Sequence, residues 1–396
     1  MNPIISIGLY LASQVLLLSM ANGSLGNAIG ERVFHNRRWL KILIAVVYML
    51  LALLPVAGAL LPDSAVKFSL QAGGNIWLGF YIYFGGTFII LSFIWQIVIW
   101  LTHKKSATIS TGILTVSILA GVILLCYGMI HAKKTVVKNY DITINKEADG
   151  LTDLHAVLLA DLHLSVNSDL ATIENMVRMV NAENPDVIVI AGDIFTSTYA
   201  GLRNPDEYAA ALRELKAPYG VYAVYGNHDV EETLFGGFPI SPIREAFRTK
   251  EMEQFFADCG FTILYDETVP IADGKVMLTG RVDGEKAGDG TANRMSPEEV
   301  LRGVDKTKPV IVLQHEPVEF APLAENGADL VLCGHTHAGQ IFPGNLIVPF
   351  FNENGYGYKN ISGVDTVVTS GIGFYGPPMR VGTNSEITVV DVHFAS

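Results

Sequence analysis

Four apolar runs, about Pro3 to Met20, Ile42 to Leu61, Ile76 to Leu101 and Thr108 to Ile130, contain no Lys, Arg, Asp or Glu. A helix of about 18 or more such residues spans a hydrocarbon core of roughly 30 Å, so the runs predict four transmembrane helices and exclude a purely soluble fold. The first run lacks a basic leader and is followed by further runs, which argues against a cleaved signal peptide. Pro55 predicts a kink in the second helix. Trp77, Tyr81, Trp95 and Trp100 read as interface or bundle aromatics.

Charge divides the chain at the same place. Residues 1–138 hold ten Lys and Arg against the two acids Glu31 and Asp63, a balance of +8; with the whole chain at −12, the remainder carries −20. The reading is a helical membrane region over 1–133, a linker and edge strand over 134–149, and a globular domain over 150–396. Connections after the first and third runs carry six basic residues (Arg32, Arg37, Arg38, Lys41, Lys104, Lys105). Those after the second and fourth carry four (Lys67, Lys133, Lys134, Lys138). The positive-inside tendency then places the C-terminal domain outside the cytoplasm. An acidic surface disfavours nucleic acid as a main partner, because a phosphate backbone demands a basic footprint. Cys126, Cys259 and Cys333 form no C-x-x-C spacing, so no zinc knuckle or redox pair is expected.

Beyond residue 150 strands alternate with helical stretches, among them "SDLATIENMVRMVNAENP", "PDEYAAALRELKAP" and "SPIREAFRTKEMEQFFADCG". That alternation argues for an α/β domain with both sheet faces covered. The last third adds enough strands to call for two packed sheets. Polar chemistry stands at the strand ends: Asp161-Leu162-His163, Gly192-Asp193, Gly226-Asn227-His228-Asp229, Gln314-His315-Glu316 and Gly334-His335-Thr336-His337. Singly, a Gly-Asp or Gly-Asn pair is turn chemistry and a lone histidine is more often a core residue than a ligand. Jointly, five strand ends in an α/β sheet put these groups in the crevice where ligands bind. Positions i and i+2 of an extended end share a side, so Asp161 and His163 are expected to grip one ion, and His335 and His337 to face the same way. Carboxylate, imidazole and amide oxygen suit Mn, Fe, Zn or Co, and the lack of thiolate argues against a closed structural zinc.

The series D-L-H, G-D, G-N-H-D, Q-H-E-P and G-H-T-H resembles the calcineurin-like metallophosphoesterases across nearly all of 150–396. The tail "VTSGIGFYGPPMRVGTNSEITVV" is similar to their membrane-associated bacterial phosphodiesterase branch. The resemblance implies a four-layer αββα sandwich following the four transmembrane helices, and two divalent metal ions. It implies one metal held by Asp161, His163, Asp193 and His337, and the other by Asp193, Asn227, His315 and His335, with Asp193 bridging. It implies in-line attack on phosphorus by a metal-bridging hydroxide, with His228, if protonated, stabilising the developing charge or donating to the leaving oxygen, and Asp229 orienting or charge-supporting His228. The second motif, "GDIFTS", lacks the additional acid often found there, a residue not expected to be a ligand.

Arg380 and Gln340 stay outside the catalytic set, and "FFNENGYGYKN" is either a loop over the site or an irregular crossover. The implied function is a membrane-anchored phosphoesterase acting on a diester, pyrophosphate or monoester bond, with a lipid or envelope substrate suggested by the helices. The alternative is a catalytically silent metal-binding scaffold or sensor. A channel is disfavoured because the runs hold no buried charge.

Overall fold

A computed structural model describes residues 3–28 and 38–395, with side chains over 4–21 and 39–395. Arg32 and Arg37 of the orientation argument, and the side chain of Arg38, lie outside the described residues. The chain divides into two compact units. One takes the described residues up to Ile130 together with Thr233–Ser241 and Gly376–Met379, and the other takes the rest.

The helical unit contains α1 (Pro3–Ala28), α2 (Arg38–Ala52), α3 (Leu54–Leu60), α4 (Ala65–Thr102) and α5 (Ala107–His131). Four stretches, Ile4–Ala21, Trp39–Leu60, Ala65–Thr102 and Ala107–His131, are long and apolar enough to cross a membrane. The second run breaks at Leu53, just ahead of Pro55, which has no N–H to continue the ladder. α4 begins eleven residues before the expected run because Ser64 caps it, accepting the Lys67 N–H. Its 38 residues make about 57 Å of helix, more than a crossing needs. Polar groups inside the bundle pair with one another: Trp77 donates to the Tyr10 hydroxyl at 3.1 Å, Tyr10 to the Ala52 carbonyl at 3.0 Å, and Tyr81 to Ser13 at 2.7 Å. Between apolar helices such side-chain pairing is favourable.

The second unit rests on strands β1 (Thr135–Glu147), β2 (Asp153–Leu159), β3 (Val187–Ala191) and β4 (Val221–Val224). The hairpin strands β5 (Leu234–Phe235) and β6 (Phe238–Pro239) belong to the helical unit. The second unit then continues with β7 (Thr262–Ile263), β8 (Glu267–Ile271), β9 (Val276–Gly280), β10 (Val310–Leu313), β11 (Leu330–Cys333), β12 (Gly357–Ile361), β13 (Val364–Val368) and β14 (Ser385–Ala395). One six-stranded sheet runs β1-β14-β2-β3-β4-β7, the other β12-β13-β11-β10-β9-β8. Both are parallel except at β14/β2, β12/β13 and β8/β9. Alternation decides the layers. Val157, Leu159, Ile188 and Ile190 face α6 (Leu170–Glu183), α7 (Pro205–Leu212) and α8 (Lys250–Asp258), packing on Ile173, Met176, Leu212 and Phe255. Leu158, Val189 and Val390 face the opposite way, against Leu278, Ile311 and Leu332 of the second sheet. That sheet's outer side is covered by α9 (Pro297–Val300) and α10 (Phe320–Glu325) through Val300, Phe320 and Leu323. The order of layers is αββα.

The helix expected over "SPIREAFRTKEMEQFFADCG" is confined to α8. The Thr249 hydroxyl accepts the Met252 N–H and starts it there. Upstream, the Phe247 carbonyl takes the Glu231 N–H at 2.8 Å, which holds that stretch extended.

Candidate metal centre

After β2 the chain turns through Asp161 (φ 53°) and His163 (φ 48°). Asp193 follows β3 at φ 55°, and His335 and His337 follow β11 at φ 75° and 50°. Left-handed backbone at a non-glycine residue costs roughly 1–2 kcal/mol, and five such residues in one place mark a strained site. The D-x-H pair therefore converges through a turn, not through the pleat of an extended end. Main-chain bonds hold that turn: Asp161 N–H to Gly192 O and His163 N–H to Asp193 O, both 3.0 Å. Glycine makes the approach possible, since a Cβ on Gly226 would lie 2.2 Å from Asp193 Oδ1.

All seven sequence-selected ligands meet here. His163 Nε2 lies 2.9 Å from His337 Nε2 and 3.6 Å from Asp193 Oδ2, and His337 Nε2 lies 3.7 Å from Asp161 Oδ1. The same Asp193 oxygen is 3.2 Å from His315 Nε2, which is 3.0 Å from Asn227 Oδ1 and 3.2 Å from His335 Nδ1. Atoms about 2.0–2.2 Å from one ion stand about 3.0–3.5 Å apart, so the spacing suits donors to divalent metal. Asp161, His163 and His337, and likewise Asp161, Asp193 and His315, each bring one donor atom within 4.8 Å of the others.

The electrostatics fit a cation as well. Burial holds His163 and His335 down at about 4 and His337 well below the usual range, so their lone pairs are free at neutral pH. His315 Nδ1 sits 2.7 Å from the Ala191 carbonyl, an acceptor only, which leaves Nε2 facing the cluster. Burial pushes Asp161 up to about 7. Burial would also keep His315 neutral, but the carboxylates of Asp193 and Asp161 outweigh it and raise the imidazole well above its usual value. Protons are drawn in where positive charge is short.

Asp229 does not orient His228 as expected. Its carboxylate accepts three main-chain N–H groups, from Asp193 (3.0 Å), Phe195 (2.9 Å) and Gly226 (2.8 Å), and so clamps the loops that carry Asp193 and Asn227. His228 Nδ1 instead meets Ser197 Oγ at 3.0 Å. Ser197 donates to Glu232 at 3.2 Å, and Glu232 takes Lys286 Nζ at 2.7 Å. Burial holds His228 well below the usual range, so the ring is neutral, not protonated. Tyr375 stacks on it with centroids 4.5 Å apart. Asn227 Nδ2 donates to Glu285 at 2.9 Å, which turns its Oδ1 toward His315. Sequence reasoning missed Ser197, Glu232, Glu285, Lys286 and Tyr375; Ser197 in "GDIFTS" and Glu232 after "GNHDVE" lay beside the motifs, Tyr375 lay within the tail that carries the resemblance, and Glu285 and Lys286 lay outside them.

Arg380 is fully buried and donates to the carbonyls of Ser370, Gly371 and Gly373 at 2.7, 3.1 and 2.7 Å, with burial lowering its pKa to about 10. It builds the loop and does not reach for phosphate. Arg380→Met leaves these carbonyls unpaired and is expected to cost about 3 kcal/mol of stability, read as a lowered midpoint in thermal unfolding of the detergent-purified chain.

Comparison with known proteins agrees with this geometry. The family described as Calcineurin-like phosphoesterase matches residues 151–339, from the approach to β2 through His337. A "Transmembrane protein with metallophosphoesterase domain" of Danio rerio is 31% identical over 310 residues, 73% of this chain and 65% of that protein. Its namesake in Bos taurus is 30% identical over 289 residues, 69% and 60%. The chain thus spans less than two thirds of either relative's length. An "Uncharacterized metallophosphoesterase" of Aquifex aeolicus (strain VF5) is 30% identical over 258 residues, 65% of this chain and 91% of that protein. With a relative matched almost end to end, and a family match over residues 151–339 that contains every strand end described above, the chain belongs to the calcineurin-like phosphoesterase family.

Proposed function

We propose that this protein is a membrane-anchored, two-metal phosphoester hydrolase that favours diester or pyrophosphate bonds of a membrane-derived substrate, with its catalytic unit outside the cytoplasm. The observation that carries the reading is the placement of Asp193 Oδ2 between His163 and His315, at 3.6 and 3.2 Å from their Nε2 atoms. Asp161, His163, Asp193 and His337 would hold one cation, and Asp193, Asn227, His315 and His335 the other. When bound, the pair supplies Lewis acidity and a nucleophilic water at neutral pH. His228 gives its Nδ1 proton to Ser197 and presents Nε2 to the site; a proton taken up there with an anionic substrate is then available to the leaving oxygen. Arg380 is committed to carbonyls and Lys286 to Glu232, which suits a singly charged diester better than a doubly charged monoester.

The test is hydrolysis of bis-p-nitrophenyl phosphate and p-nitrophenyl phosphate by the detergent-purified chain, stripped with chelator and reloaded with Mn. Turnover is expected to vanish on stripping, to return with metal, and to favour the diester. Two bound ions with no turnover on any ester would favour the scaffold alternative.

A further inference from the structure

The segment after the last candidate ligand is the most exposed apolar surface of the second unit. Phe350 and Phe351 are 85% and 81% exposed, and Phe342, Leu346 and Ile347 are about half exposed. Such residues normally scatter singly over a soluble surface; here five fall between 342 and 351. The segment, which includes α11 (Gly344–Ile347), is two-sided. Asn345, Val348 and Asn352 turn inward and line a cavity of about 450 Å³ that Thr383 and Asn384 also line.

Its position indicates what covers it. His131, the last residue of α5, places Nε2 3.1 Å from both the Thr383 carbonyl and Asn384 Oδ1. The Phe342 N–H donates to the Val381 carbonyl at 2.8 Å. The aromatic segment therefore lies at the end of the unit where the chain arrives from a candidate membrane span, four residues before β1 begins. Gln340 joins it to the site: its Nε2 donates to the Tyr375 carbonyl at 2.9 Å and its Oε1 accepts the Tyr375 N–H at 2.7 Å.

We propose that Phe342, Leu346, Ile347, Phe350 and Phe351 form an interfacial anchor whose partner is the bilayer itself, set into the boundary between headgroups and acyl chains. The inference rests on reading α1–α5 as membrane spans. It deepens the proposed function by holding the loop that carries His335 and His337 at the surface from which a lipid substrate would come. Lys359, beside the segment, already donates to the Glu353 carbonyl, so the aromatic contact itself rests on apolar burial.

The full chain is placed in phosphatidylcholine nanodiscs whose acyl chains carry nitroxide quenchers, with an environment-sensitive fluorophore at one cysteine. Three positions are compared: native Cys126 within α5, Phe351→Cys in a Cys126→Ser background, and Asp305→Cys in the same background. Asp305 is an exposed control in the loop beside Lys308, whose carbonyl meets Lys146 at the far end of β1, about 40 Å along the strand from Thr135. Diester turnover of each labelled protein reports that it is folded. Quenching at position 351 is expected to approach that at Cys126 and to exceed that at 305 by at least about threefold. Quenching at Cys126 but not at 351 overturns the anchor and leaves the spans standing, as does a blue-shifted but unquenched label at 351, which would mean a second copy covers it. Absence of quenching at Cys126 overturns the spans and the anchor together.

Discussion

Asp193→Asn is expected to lower diester turnover by about 10³-fold or more and to leave the purified protein short of bound metal. The substitution changes one oxygen to nitrogen with almost no change in volume, so the packing around the site should survive. What it removes is the charge of the carboxylate that stands 3.6 Å from His163 Nε2 and 3.2 Å from His315 Nε2. Burial alone would push that carboxyl up, but His315, His228 and His163 outweigh it and hold Asp193 well below the usual carboxylate range. It is thus the carboxylate of the cluster that stays ionised, whereas Asp161 is pushed up to about 7 by burial. Metal content by mass spectrometry of the purified variant, read beside turnover, separates lost binding from lost chemistry. Wild-type metal content with normal turnover would remove Asp193 from the bridging role.

This charge asymmetry was invisible in the sequence, although the residues were not. Asp161, His163, Asp193, Asn227, His315, His335 and His337 were legible because each sits next to an apolar run that can only be a buried strand, and the crevice of an α/β sheet lies at such ends. The strained geometry was not legible. An extended D-x-H pair was expected, and the chain instead places both residues at positive φ, because main-chain bonds to Gly192 and Asp193 pull the β2 end across to β3. The partner of His228 was not legible either. Asp229 is its neighbour in sequence, yet a carboxylate one residue away in a tight turn is closer to main-chain N–H groups than to the preceding ring. Ser197, 31 residues upstream, arrives by folding alone.

The helical unit shows the same limit. Apolar length identified the four candidate spans, and Pro55 gave the break in the second. Periodicity did not reveal that Thr233–Ser241 and Gly376–Met379 group with those helices. Phe235 meets Tyr10 edge-on at 5.2 Å, and a Cβ on Gly79 would lie 2.8 Å from the Met379 sulfur. Both segments leave the sequence of the second unit next to residues of the candidate site, Glu232 on one side and Tyr375 and Arg380 on the other. A purely local reading assigns them to loops, because only tertiary packing distinguishes a loop from a docking element.

His228→Ala is expected to lower turnover by about 10²- to 10⁴-fold while metal content stays at the wild-type level, the converse of Asp193→Asn. On the proposed mechanism the ring would contribute a proton site and not a ligand atom: its Nδ1 is engaged by Ser197 at 3.0 Å, and its flat face is held by Tyr375. Burial keeps it neutral in the free protein, so a proton given by His228 in the proposed mechanism would be taken up as substrate binds, the substrate's negative charge favouring the imidazolium. That origin makes the size of the defect depend on the leaving group. p-Nitrophenolate departs readily without a proton and an alkoxide does not, so the loss in His228→Ala should be larger for an alkyl phosphodiester than for bis-p-nitrophenyl phosphate. Equal losses on both would mean that His228 stabilises charge on the phosphoryl oxygens instead. Ser197→Ala gives the intermediate case, since it frees Nδ1 without removing the ring. A loss of about tenfold is expected there, with the same ordering of leaving groups, because a ring that can rotate or change tautomer still reaches the leaving oxygen part of the time.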